Sequence, residues 1–253
     1  MAKILAFINQ KGGVGKTTTC CGVASAFRKK KLSTLLVDVD PQGNLTYITN
    51  ADTGNAGIAD IFTKKGNIAN LIQKTQQGDI ISANPSLAAD GLLRGANKEF
   101  RLKEALLPVS DAYDYILIDC PPSLGILSIN ALTAANGVIV PVQADILSLQ
   151  ALGQFSATFS AVQTHTNKEL SFLGLVITRY NARAIINQEI AKLLRQTAGK
   201  LGTKVYDTYI RENISVKEAQ GAREDIFSHS PRSNAAADFK SLADEIVKDT
   251  SRS

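Results

Sequence analysis

The chain has 253 residues, a formal charge of +5, 44% apolar residues and 20% charged ones. That length suffices for one large α/β domain or two small ones, and the composition is that of a soluble globular protein rather than a disordered or fibrous chain. The positive charge permits a polyanionic partner without requiring one, and no apolar run approaches the roughly 18–20 residues needed to span a bilayer.

Ile4–Asn9 reads as a short buried strand ending at a glycine-rich turn. The turn, NQKGGVGKTTT over Asn9–Thr19, nearly fits the phosphate-loop pattern G-x-x-x-x-G-K-[ST]. Gln10 stands where the first glycine belongs, and a second lysine, Lys11, follows it. Gly12, Gly13 and Gly15 allow the backbone N–H groups to point inward at an anion. The helix expected over Thr17–Lys30 adds its positive end. Lys16 is placed to meet the β- and γ-phosphates and the Thr17 hydroxyl to complete a magnesium shell, with Val14 and Thr18 in the same nucleotide-binding run.

Leu35–Val39 is the next buried strand, with Asp38 and Asp40 at its end and a Pro41–Asn44 loop after it. A carboxylate at Asp40 can orient the attacking water, while Asp38, on the same side of the strand, shares the magnesium-centred site in a more structural role. Residues 53–107 give weaker signals: helical pieces at Ile58–Thr63 and Ile68–Gln73 and a strand at Asp79–Ala83. Tyr115–Ile118 is a clear buried strand that delivers Asp119, suited to hold magnesium directly or through water.

Further strands are expected at Gly137–Val142, Leu173–Thr178 and Thr203–Tyr206. Helices are expected from Ser148, over Asn187–Thr197 and over Phe239–Val247. Strands alternating with helices along the whole length imply one α/β domain over residues 1–253. Its core would be a single doubly wound, mostly parallel sheet flanked by helices. Ligands of such sheets sit beyond the carboxyl ends of the strands, where Asn9, Asp40, Asp119 and Thr178 fall. The three cysteines, Cys20, Cys21 and Cys120, have neither disulfide nor metal-ligand spacing and read as reduced thiols of a cytoplasmic protein.

KGGVGKTTT, LLVDVDPQGN, YDYILIDCPPSLG and the run from Arg211 to Ala219 resemble the ParA/Soj family of deviant-Walker partition ATPases, from Lys3 to about Val247. The resemblance implies an ATP- and Mg2+-dependent homodimer in which Lys11 reaches the nucleotide of the other subunit. Asp40 is then needed for hydrolysis, Asp119 is the magnesium-linked acid, and Pro41–Asn44 and Pro121–Gly125 are switch loops. It implies base contacts near Thr178 and Arg211, although the family often has proline where this chain has Ile210.

The same resemblance implies sequence-independent binding of double-stranded DNA in a nucleoid-associated, short-form protein without a DNA-reading domain before the loop. The candidate cations are Lys192, Arg195, Lys200, Lys204, Lys217 and Arg223. A ParB-type centromere-binding partner would stimulate turnover during plasmid or chromosome segregation. The alternative is the same engine positioning a protein cargo on the nucleoid. The C-terminal helix, mixed in charge and without aromatic residues after Phe239, makes a poor membrane anchor, so no membrane partner is expected.

Overall fold

In the computed structural model, residues 1–54, 56–63, 66–89 and 91–251 are described. Their strands are β1 (Lys3–Phe7), β2 (Thr34–Asp38), β3 (Ile72–Thr75), β4 (Gly78–Ile81), β5 (Tyr115–Asp119), β6 (Gly137–Gln143), β7 (Ser171–Tyr180) and β8 (Ile210–Arg211). They form one eight-stranded sheet in the order β3-β4-β2-β5-β1-β6-β7-β8. Every neighbouring pair is parallel except β3 and β4. The expected doubly wound, mostly parallel sheet is therefore present.

The central strands are buried on both faces, which is why they read as unbroken apolar runs rather than as alternation. Their side chains still alternate in direction. Ala6, Val37, Ile118 and Val140 join one core layer, while Phe7, Leu36, Leu117 and Ile139 join the other. On the second layer lie α1 (Lys16–Lys29) and α10 (Asn234–Thr250), with α2 (Asn44–Ile48), α8 (Ile214–Ala222) and α9 (Ile226–His229) nearby. On the first lie α3 (Ile58–Phe62), α4 (Arg101–Leu106), α5 (Ile126–Ala134), α6 (Ile146–His165) and α7 (Ile185–Lys200). The Phe239 ring of α10 packs so closely over Gly22 of α1 that an added Cβ would sit 2.5 Å from it.

Two expectations need correction. Ile68–Gln73 is not one helical piece: a 3-10 turn covers Ile68–Leu71, and Ile72 already begins β3. Gly78, at φ 111°, lets the chain reverse immediately, so β3 folds back antiparallel on β4. Thr203–Tyr206 contributes only a single bridge, Leu175 to Val205, and the last strand is instead Ile210–Arg211. The helices α4, α5 and α8 were not legible, whereas α1, α6, α7 and α10 fall where the pattern put them. Among the described residues no helix is long and apolar enough to cross a membrane.

Candidate functional site

β1 ends in the middle of the sheet, and the chain leaves it through a loop braced from three sides. The Asn9 side chain donates to the Pro141 carbonyl at 2.7 Å and accepts from the Lys11 N–H at 2.9 Å. Gln143 donates to the Gly13 carbonyl at 3.1 Å, and the Thr178 hydroxyl to the Val14 carbonyl at 2.7 Å. These bonds engage the Gly13 and Val14 carbonyls and leave the N–H groups of the glycine turn after Lys11 for an anion. Gly13 and Gly15 sit at φ 73° and 84°, a region that disfavours any side chain. No side chain caps the first turn of α1, so its N–H groups remain open to an anion.

The charges converge because of strand register. Asp38 and Asp119 are opposite one another across β2 and β5, and Phe7 of β1 is opposite Asp119 on the other side. Lys16, at the start of α1, is buried, and its Nζ donates to the Lys11 carbonyl at 3.3 Å. Burial lowers its pKa, while the charges of Asp119 and Asp40 oppose that shift.

Asp119 is fully buried, and the Thr17 hydroxyl is the hydrogen-bonding group beside a carboxylate otherwise left without partners. Burial first and the Asp38 charge second push its pKa well above the carboxylate range, with Thr17 and Lys16 pulling the other way. A buried carboxylate left bare in this way, with Thr17 and Lys16 beside it, suits a divalent cation. Thr17 and Asp119 fit that cation as protein ligands. Among the described residues no set of three acidic, histidine or cysteine side chains could hold a metal alone, so phosphate oxygens and water would complete the shell.

Asp38 is a different case. Its two oxygens accept from the Thr46 N–H at 2.8 Å, the Thr46 hydroxyl at 2.7 Å and the Asp40 N–H at 3.1 Å. Burial pushes it up to about 6 despite those bonds. With three of its acceptor sites engaged, Asp38 braces the loop that carries Asp40, the structural side of the role expected for it beside magnesium. Asp40 accepts from the Gln42 N–H at 3.0 Å and borders a cavity of 410 Å³ lined also by Gly12, Lys16, Thr17 and Pro122.

A second hollow of 200 Å³ continues from Gly13, Gly15 and Thr18 toward β7, β8 and α8. Thr178 and Arg211 both border it, but their polar groups are engaged elsewhere. The Thr178 hydroxyl braces the loop at Val14, and the Arg211 guanidinium pairs with Asp238 on α10 through both Nε and Nη2. A contact from either side chain to a base therefore differs from what their bonding shows.

Sequence reading missed Gln220, whose amide donates to the Thr18 hydroxyl at 2.9 Å where the two hollows join. It missed Arg179 too, at φ 50°, paired with Glu212 at 3.0 Å on the rim. Nothing local in the sequence marks either residue, since α8 and the bend after β7 bring them to the loop.

Lys11 does not border the phosphate cavity. Its Nζ forms an ion pair with Asp145 at the start of α6, partly exposed at the rim. Of the cations proposed for DNA, Lys204 pairs with Asp249 at 2.7 Å and Arg195 bonds the Tyr209 hydroxyl. Lys217 lies 3.8 Å from Glu212, and Arg223 covers the Tyr47 ring. Lys192 and Lys200 are exposed on α7. Cys20 and Cys120 are buried and Cys21 is half-buried, and burial pushes the Cys21 thiol up to about 12, so these are inert thiols.

Comparison with known proteins places this arrangement among relatives. A family model described as "AAA domain" matches residues 2–172. The chain is 39% identical to the sporulation initiation inhibitor protein Soj of Bacillus subtilis (strain 168), over 98% of this chain and 99% of that one. It is 34% identical to the chromosome partitioning protein ParA of Myxococcus xanthus (strain DK1622), over 100% and 91% of the two chains. A solved structure of cobyrinic acid a,c-diamide synthase from Mycobacterium smegmatis, with bound ADP and magnesium, matches with a TM-score of 0.86. The two are 33% identical, over 99% of this chain and 96% of that one.

Proposed function

Because the chain belongs to the ParA/Soj family of partition ATPases, we propose that it hydrolyses Mg2+-ATP as a dimer whose two subunits close over their nucleotides. The dimer binds DNA without sequence preference, and a ParB-type partner stimulates its turnover during segregation of a replicon. In this reading the triphosphate lies in the 410 Å³ cavity against the free N–H groups of the loop and α1. Lys16 neutralises the phosphates, Thr17 and Asp119 hold magnesium, and magnesium supplies charge neutralisation at the γ-phosphate. Asp40 accepts the proton of the attacking water, positioned by Asp38 through the Asp40 N–H. The nucleoside lies in the 200 Å³ hollow toward α8.

One observation carries the dimer. Lys11 belongs to the phosphate loop yet turns outward to the rim, leaving its own phosphates to Lys16. A cation in that position is placed to complete a site in a second molecule, which ties hydrolysis to association as an arginine finger does. The rim supports the same reading. Ile146 and Leu147 of α6, Ile185 and Ile186 of α7 and Ile214 of α8 are all strongly exposed. Each begins a helix that follows a parallel strand, so all five lie at the sheet edge that carries the loop.

Lys11→Ala tests this reading. It should still bind nucleotide but fail to dimerise with ATP and lose stimulated turnover, read by light scattering and phosphate release with and without DNA. Wild-type dimerisation by that variant would overturn the closed-dimer reading.

A further inference from the structure

The Lys11 side chain is held, not merely exposed. Its backbone is fixed at both ends, the N–H by Asn9 and the carbonyl by Lys16, so only the side chain can swing. Its ammonium pairs with one oxygen of Asp145. The other oxygen accepts from the Ser148 N–H at 3.0 Å and the Ser148 hydroxyl at 3.2 Å, which makes Asp145 the N-cap of α6 and fixes its direction. The two residues lie just beyond the ends of β1 and β6, which are neighbours in the sheet, so the sheet brings their segments together.

We propose that Asp145 is a positioning residue that keeps Lys11 within its own subunit until ATP-loaded subunits meet, so that this ion pair sets the threshold for dimerisation. The inference rests on the closed-dimer reading above and adds a regulator to it. The pair is exposed enough to exchange, at 26% and 35%, yet it borders Ile146 and Leu147, which a second subunit would cover. For Lys11 to cross over, it must exchange one carboxylate for a partner's triphosphate. A γ-phosphate adds the charge that makes this exchange favourable, and a diphosphate offers less. Asp145 therefore opposes association most when the nucleotide is spent. It also prevents Lys11 from folding back into its own loop, where Lys16 already supplies the cation.

Asp145→Asn tests the idea with little change in shape, because asparagine caps a helix as well as aspartate. ATP-driven dimerisation of Asp145→Asn, followed by stopped-flow energy transfer between labelled subunits, should occur at about five-fold lower protein concentration, as expected if each of the dimer's two partly exposed pairs contributes about 0.5 kcal/mol. Asp145→Glu should restore the wild-type threshold. Ser148→Ala, which weakens the cap but leaves the pair, should not lower it. An Asp145→Asn protein that dimerises as the wild type does, or more weakly, overturns the proposal, as does equal facilitation by Ser148→Ala. Lys11→Ala separates the two readings. If it dimerises normally, the closed-dimer reading fails; if it does not while Asp145→Asn is unchanged, only the restraint fails.

Discussion

The two ends of the nucleotide site are built on opposite principles. At the phosphate end, Lys16 and Asp119 are buried, and Asp119 has no neighbour to satisfy it beyond the Thr17 hydroxyl and the Lys16 charge. At the base end every charged group already has a protein partner: Arg211 with Asp238, Arg179 with Glu212, and Lys217 near the same Glu212. Buried polar groups without partners are costly, so the phosphate end is strained in the free protein and relieved only by ligand. The base end is complete without ligand and contributes shape. Chemistry therefore belongs to the first region and fit to the second.

The largest effect should separate the two. Asp40→Ala should lower ATP turnover about 10²- to 10³-fold while leaving nucleotide binding nearly intact, because a general base acts in the transition state. Arg211→Ala at the other end should change turnover less than about three-fold, since its guanidinium is taken by Asp238. Phosphate-release kinetics with direct nucleotide titration measure both. Comparable losses in the two variants would break the contrast.

Stability should move in opposite directions at the two ends. Asp119→Asn removes a buried carboxyl whose ionisation the site opposes, so the nucleotide-free protein should gain about 1–3 kcal/mol at neutral pH while Mg2+-dependent ATP binding falls. Thr178→Val keeps the shape but strips the hydroxyl that bonds the Val14 and Val142 carbonyls, and should lose about 1–2 kcal/mol. Each kcal/mol corresponds to roughly 2–4 °C in Tm for a chain of this size.

The sign with pH follows from the same burial. Asp38 rises from 3.8 to about 6 on folding, so the native chain keeps a proton that the unfolded chain has released. Its contribution is full below about pH 4 and is lost as pH rises toward 6. Thermal melts without nucleotide from pH 4 to pH 7 read this directly.

How much was legible in the sequence follows the same division. The phosphate end is local: a strand, a glycine turn and Lys16-Thr17 are contiguous, and Asp38, Asp40 and Asp119 each close an apolar run. Even there the partner that holds Asp38, Thr46, was not legible, because it lies on α2, a helix too short to leave a pattern. The base end is assembled from β7, β8 and α8, and β8 is only two residues long. Gln220 reaches Thr18 across 202 positions of chain, a contact that no spacing rule can reveal. The hairpin of β3 and β4 was missed for a related reason. Its turn depends on the positive φ of Gly78, while Ile68–Gln73 carries apolar residues that a helix can also use.

The smallest expected effect concerns the face proposed for DNA, and it extends the contrast between engaged and free charges. Arg223 lies with its Cζ 4.1 Å from the Tyr47 ring centroid and bonds Asn50 at 2.8 Å, and Lys204 pairs with Asp249. Lys192 and Lys200 are exposed on α7 and, among the described residues, neither has an ion-pair partner. A cation paired with a carboxylate, as Lys204 is, releases fewer counterions when a phosphate approaches, and Arg223, though still charged, is held against Tyr47 and Asn50. The double substitution Lys192→Ala, Lys200→Ala should therefore reduce the slope of log affinity against log salt by about 2. Arg223→Ala or Lys204→Ala should each change it by clearly less than about 1. Fluorescence anisotropy with a random-sequence duplex at several salt concentrations, in ATP, measures these slopes. A larger change for Arg223→Ala than for the double variant would move the contact surface from α7 to the end of α8, beside the nucleotide.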